Sequence, residues 1–305
     1  MNQINSHSQY PVVCFGEILW DVLPGCAVPG GAPMNVAYHL KKLGINPALI
    51  TKVGTDDWGK NLVDLMSKNQ IDINFIQFDS ELETGKVNAT ICPGNEMSYD
   101  ILKPVAWDNI QWSNDFESLM SNTDFLVFGS LITRSEISRN TLYQLIELAK
   151  YKIVDINLRP PHYNKEVVGK LLSEASLLKL NIAELELITG WANNYSEIER
   201  IQIIQDVFHI QNIVVTKGDA GAIFNSSGKI YKHPGYQVTV QDTMGSGDAF
   251  LAGLLSKLLC KKQPDNALAF ACAMGAQMAT YTGACPEYKL EEIDNLITEN
   301  KIMNP

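Results

Sequence analysis

The chain has 305 residues, 46% hydrophobic and 19% charged, and a net charge of −10. That apolar share excludes bulk disorder, and the length suffices for a real core in one large or two modest domains. With no Lys/Arg cluster, no apolar run long enough to cross a bilayer and no secretory pattern in Met1–Gln9, a cytoplasmic protein with no nucleic-acid and no membrane partner is expected.

The six cysteines include no Cys-x-x-Cys pair and the five histidines are scattered. Reduced core thiols are therefore expected, and no zinc site.

Strand-like and helix-like segments alternate. Pro11–Gly16 reads as a buried strand. Pro33–Leu43 reads as a helix, with proline at its start and Gly44 as its stop. Ala48–Val53 is strand-like and Trp58–Asn69 helical. Between Thr84 and Leu102 the pattern changes: Lys86–Ile91 alternates polar and apolar, Pro93–Asn95 is a turn, and Met97–Ile101 returns. Such a hairpin keeps one wet and one covered face, as a flap outside the main sheet would.

From Asp124 the alternation resumes. Phe125–Phe128, Ile153–Ile156, Leu177–Leu180 and Ile213–Thr216 read as strands. Ser135–Tyr151, Glu166–Ala175, Ala183–Thr189 and Tyr195–His209 read as helices. Two or three short strands are expected between Ala220 and Val240, then helices over Ser246–Cys260, Pro264–Tyr281 and Leu290–Asn300. This order predicts a mostly parallel sheet covered by helices on both faces, with ligands beyond the carboxyl ends of its strands.

The most informative string is Asp242-Thr-Met-Gly-Ser-Gly-Asp-Ala-Phe250. Gly245, Ser246 and Gly247 lead into a helix, so several N–H groups converge where the helix dipole is positive, an anion cradle suited to phosphate. Asp248 lies in the first turn and suits a general base. The same string also reads as a plain helix cap. No Gly-x-x-x-x-Gly-Lys-Ser/Thr occurs, and Phe250 stands where a dinucleotide fingerprint needs a glycine.

Other strand ends carry polar groups. Glu17 and Asp21 follow the first strand. Gly30 and Gly31 precede Asn35, and Asp21 and Asn35 suit sugar hydroxyls. Asp155-Ile-Asn157-Leu-Arg159 leaves another strand, with Arg159 fit for a substrate oxygen or a phosphoryl group. An Asp155–Arg159 brace is the alternative. Asn181 and Glu184 suit phosphate and hydrated magnesium, or else a capping box. Thr216-Lys217-Gly218 and Gly221 would let a nucleotide lie against backbone, or else form a tight turn.

Taken in order, these features resemble the ribokinase-like (PfkB-type) carbohydrate kinase family over nearly the whole chain, most of all its bacterial fructokinases. Ser246 stands where the family usually has alanine. The resemblance implies a three-layer α/β/α fold, a single domain over residues 1–305 with a β-lid from segments near 17–32 and 84–102. It implies transfer of the ATP γ-phosphoryl group to a sugar hydroxyl, most readily fructose, with ribose or 2-keto-3-deoxygluconate as alternative acceptors and a catalytically silent binding protein as a further one. Asp248 would be the base and the N–H groups of Gly245, Ser246 and Gly247 the anion hole. Asp21, Gly30, Gly31, Asn35, Asn157 and Arg159 would face the sugar. Asn181, Glu184, Thr216, Lys217, Gly218, Gly221, Gly245 and Gly247 would serve ATP. Mg2+ would sit near Glu184 through water, and K+ near Asp242 and Gly283. Cys272 would lie in the helix along the adenine pocket as a buried thiol. A homodimer through the lid is implied.

Overall fold

The computed structural model describes residues 8–91, 97–190 and 194–303. Its first half contains β1 (Val12–Phe15), β2 (Leu19–Leu23), β3 (Cys26–Gly30), α1 (Ala32–Lys42), β4 (Pro47–Gly54), α2 (Asp57–Lys68), β5 (Ile76–Asp79), β6 (Gly85–Ile91), β7 (Met97–Ile101), α3 (Asp115–Ser121), β8 (Phe125–Gly129) and α4 (Glu136–Leu148). The second half contains β9 (Tyr151–Asp155), α5 (Lys165–Glu174), β10 (Leu177–Asn181), α6 (Ile182–Thr189), α7 (Glu197–Phe208), β11 (Asn212–Thr216), β12 (Ala222–Ser226), β13 (Lys229–His233), α8 (Ser246–Leu259), α9 (Pro264–Met278) and α10 (Leu290–Met303).

Nine strands form one sheet in the order β13-β12-β11-β10-β9-β8-β1-β4-β5. The seven strands from β11 to β5 pair in parallel, and the β12–β13 hairpin extends the sheet antiparallel at one edge. Side chains alternate between the faces, as the pleat requires. Val12, Cys14, Val127, Ile153 and Val214 belong to one core, packed with residues of α1, α2, α8, α9 and α10. Val13, Phe15, Phe128, Val154 and Ile213 belong to the other, with residues of α3, α4, α5, α6 and α7. This is the expected three-layer arrangement. Each buried Leu, Ile or Phe contributes about 1.5–3 kcal/mol from apolar burial.

A second sheet has the order β3-β2-β6-β7, drawn from residues 19–30 and 85–101. Its spine is the parallel pair Leu19↔Gly85 to Val22↔Asn88. Gly85 tolerates no side chain, because a Cβ there would lie 2.3 Å from the Trp107 indole nitrogen. The expected turn at Pro93–Asn95 lies outside the described residues.

The structure departs from the sequence expectations in identifiable places. The helix expected to reach Tyr151 ends at Leu148, because Tyr151 pairs with Phe125 and opens β9. The helix expected to reach Tyr281 ends at Met278. Strands β2 and β3 carry Asp21 and Pro29 and are mostly half-buried, so they lack the apolar runs that mark the main sheet. Strand β5 and helix α3 are short and were not expected from the pattern.

Candidate active site

The polar groups converge at the carboxyl ends of β1, β9, β10 and β11, facing the N-terminus of α8. Gly245 caps that helix with φ 72°. A Cβ there would approach Ala284 to 2.6 Å, so the position requires glycine for both conformation and space. The Ser246 N–H is taken up by the Thr243 carbonyl at 3.2 Å. Among the described residues, the N–H groups of Gly245 and Gly247 have no acceptor. The exposed part of the cradle is therefore narrower than the three N–H groups read from sequence.

Asp248, third residue of α8, is buried. The Asn35 amide donates to its Oδ2 at 2.7 Å. Burial pushes the Asp248 carboxyl up to about 7, and the nearby Asp155 adds to the rise. Lys179 and the Asn35 hydrogen bond oppose it, and Glu17 reinforces it. A carboxyl poised near neutrality inside a site fits proton abstraction.

Lys179, which carries no motif in the sequence, also lies in this candidate site. Its ammonium donates to both Asp155 oxygens at 2.8 and 2.7 Å, and both side chains are buried. Burial pulls the Lys179 pKa down, but the charges of Asp155, Asp248 and Glu184 and the hydrogen bonds to Asp155 together outweigh it and hold the ammonium above the ordinary lysine range. A Cβ on Gly247 would lie 3.4 Å from this ammonium, so a buried cation stands directly beside the glycine cradle. A lone lysine inside the apolar run Leu177–Leu180 was the available signal, since a buried charge needs a partner. The alternative Asp155–Arg159 brace does not form; Asp155 pairs with Lys179 instead.

Asn181 and Glu184 form the capping box of α6. Asn181 Oδ1 accepts from the Glu184 N–H and Glu184 Oε2 from the Asn181 N–H, both at 2.9 Å. Glu184 Oε1 also accepts from the Leu158 N–H at 2.8 Å, tying α6 to the loop after β9. Burial raises the Glu184 pKa, the Asn181 N–H lowers it and Asp155 raises it further.

The glycine pair packs against the loop after β1 and against β2. A Cβ on Gly31, whose φ is 113°, would lie 2.5 Å from the Glu17 carbonyl; one on Gly30 would lie 2.2 Å from Asp21 Oδ2. Burial lifts the Asp21 pKa to about 6 against the pull of Arg159. Burial likewise raises Glu17, whose Oε2 has no hydrogen-bond partner, and Arg159 and Arg134 oppose that rise. Arg159 itself is exposed, and Asn157 adopts φ 41°. Asp21, Glu17 and Arg159 thus face one another electrostatically on the Asn35 side of Asp248.

On the other side of the α8 N-terminus lies a largely apolar cavity of about 250 Å3. Its walls include Thr216, Gly218, Gly221, Tyr236, Ser246, Gly247, Phe250 and Cys272. Ser246 Oγ is buried and unpartnered. Lys217 does not line the cavity, because its ammonium is tied to Glu197 at 2.8 Å. Asn181, Glu184 and Gly245 lie outside its walls as well. A groove of about 570 Å3 near Tyr10 and Phe75 lies at the amino end of the sheet, away from these groups. Asp242 accepts from the N–H groups of Met244 and Gly283, both at 2.9 Å, and so joins the turn before α8 to the loop after α9.

The pattern of the pfkB family carbohydrate kinases matches residues 27–290, and the chain belongs to that family. It is 29% identical to a fructokinase of Klebsiella pneumoniae over 289 residues, covering 88% of this chain and 93% of that one. The structure of fructokinase with bound ATP from Xylella fastidiosa superposes with a TM-score of 0.85 at 23% identity, covering 95% of this chain and 98% of the other. A double mutant of Vibrio cholerae O395 fructokinase, in its fructose, ADP and potassium ion bound form, gives 0.82 at 25% identity, covering 95% and 99%. The chain is a carbohydrate kinase, a sugar phosphotransferase, with the ribokinase-like fold.

Proposed function

We propose that this kinase transfers the ATP γ-phosphoryl group to fructose. The carrying observation is the position of the α8 N-terminus. Ser246 and Gly247 line the apolar cavity, while Asp248, one residue on, bonds Asn35 on the opposite side. One turn of helix therefore touches a slot suited to a nucleotide and a polar pocket suited to hydroxyls. The names of the relatives from Klebsiella, Xylella and Vibrio agree with this reading.

The residues present fit ATP. The cavity is apolar enough for a base, the Ser246 hydroxyl lacks a partner, and Gly247 leaves room beside Lys179. In this reading Asp248 takes the proton from the attacking sugar hydroxyl. The Gly245 and Gly247 N–H groups and the Lys179 ammonium stabilise charge on the transferring group, a task of positioning and electrostatics. Asp21, Gly30, Gly31, Asn35, Asn157 and Arg159 orient the sugar. Two carboxyls, Glu17 and Asp21, face Arg159 there, while Arg134 is paired with Asp108, which favours a neutral sugar over a sugar acid such as 2-keto-3-deoxygluconate.

Both Glu184 oxygens already accept a backbone N–H, so Glu184 would hold Mg2+ through water rather than directly. Magnesium would neutralise phosphate charge when bound. Asp242 and the loop at Gly283 would hold K+. The second sheet would act as a lid and pair with that of a second copy, giving a homodimer. The kinase would act in the cytoplasm; no helix among the described residues is long and apolar enough to cross a membrane.

ADP formation from magnesium ATP with fructose, ribose, 2-keto-3-deoxygluconate, glucose and adenosine, with and without potassium, tests the reading. Preference for fructose supports it, and preference for another acceptor moves the substrate assignment.

A further inference from the structure

We infer that Cys285 is a positioning residue for the proton-abstracting carboxylate: its S–H selects which end of the Asn35 amide faces Asp248. The inference rests on Asp248 being the base.

The Cys285 thiol donates to Asn35 Oδ1 at 3.4 Å, and Asn35 Nδ2 donates to Asp248 Oδ2 at 2.7 Å. The two ends of an amide are nearly alike in size, so hydrogen bonds decide their orientation. Reversed, the amide would set its oxygen against the Asp248 carboxylate, acceptor against acceptor. A donor at position 285 disfavours that reversal. The thiol remains a donor, because burial and the Asp248 charge hold its pKa well above the ordinary thiol range.

The thiol is also fixed in place. Asn35, Tyr38 and His39 share one face of α1, at i, i+3 and i+4. Each bonds to the segment 284–288. Tyr38 Oη donates to the Pro286 carbonyl at 2.8 Å. His39 Nε2 meets the Ala284 carbonyl at 3.0 Å, so it carries the proton; Nδ1 then accepts from Tyr288 Oη at 3.2 Å. Burial lowers His39 to about 4, which keeps this neutral tautomer. Three anchors thus hold the segment against α1 with Cys285 over Asn35.

The other charged groups facing Asp248 are Asp155, Lys179 and Glu17. None of them bonds to Cys285; the thiol feels the Asp248 charge, but it is neutral and its hydrogen bond goes to Asn35, so its own influence on Asp248 runs through that amide.

The test is the pH dependence of kcat/KM for sugar phosphorylation in the wild type, Cys285→Ala and Cys285→Ser, with thermal unfolding of each. Losing one weak hydrogen bond predicts a drop in kcat on the order of threefold to tenfold for Cys285→Ala. Its rise in rate with pH shifts to higher pH, KM for ATP is unchanged, and Cys285→Ser restores both rate and profile. A Cys285→Ala enzyme with wild-type rate and pH profile overturns the inference. So does equal impairment of the serine and alanine variants, which would make the role one of packing. Retained turnover in Asp248→Asn overturns the base assignment itself, a failure separable from the other two.

Discussion

The Asn35 amide donates to the Asp248 carboxylate at 2.7 Å, across 213 residues of sequence. One contact thereby joins the glycine-pair loop at the start of α1 to the glycine cradle at the start of α8. Both glycine strings lead into helices, and near the starts of those helices stand Asn35 and Asp248, the groups proposed to orient the sugar and to take its proton.

Replacing Asp248 by Asn removes the proposed proton acceptor while keeping shape. Turnover should fall by about 10²–10⁴, the usual worth of a general base. ATP binding, followed by calorimetry, should persist. The same change should raise the melting temperature at pH 8. The Asp248 pKa is raised from 3.8 to about 7 on folding. The folded state therefore binds the extra proton, and its stability falls as pH rises between those values. Above that window the buried charge is a standing cost, which the neutral amide removes. A melting temperature unchanged at pH 8 would contradict the burial argument.

The rate should itself follow that titration. With Asp248 required as the carboxylate, kcat/KM should rise through pH about 7 and level off above it. A rate already flat from pH 5 to 9 would place the titrating group elsewhere.

Lys179 and Asp155 form a buried pair, 2.7 Å apart at the closest. Lys179→Met leaves Asp155 buried and unpaired, which should cost about 3–5 kcal/mol of stability. The double variant with Asp155→Asn should regain most of that stability in denaturant titration. Phosphorylation should remain impaired in both, because the cation beside Gly247 is gone. Recovery of full rate in the double variant would reduce the pair to a structural brace.

Filling the 250 Å3 cavity should separate the two halves of the site. Ala276 lies on its wall, so Ala276→Phe should raise KM for ATP more than tenfold, a loss of about 1.4 kcal/mol or more. KM for the sugar should change little. An equal rise in both constants would mean that the cavity does not serve the nucleotide alone.

Much of this molecule is legible from sequence because its central strands are buried on both faces. Val12–Phe15, Phe125–Gly129 and Leu177–Asn181 show as apolar runs, and their ends show as polar residues. The second sheet was harder to read. Its strands β2 and β3 are half-exposed and mix Asp21, Pro29 and Gly30, so periodicity says little, and the resemblance to a family supplied those segments. Position, not residue type, hid Lys179 and Cys285. A lysine in a strand and a cysteine before Pro286 carry no motif. Their roles arise only when β10 and the segment 284–288 are folded against α8 and α1. The Asn181–Glu184 string shows the converse: its plain reading, a capping box, is what the structure contains.

The most direct measurement is ADP formation from magnesium ATP and fructose by the wild type and by Asp248→Asn, side by side. The account predicts fructose-dependent turnover in the first and its near loss in the second, with both proteins folded. Equal turnover in the two would contradict the central claim that Asp248 joins the nucleotide cavity to the acceptor pocket.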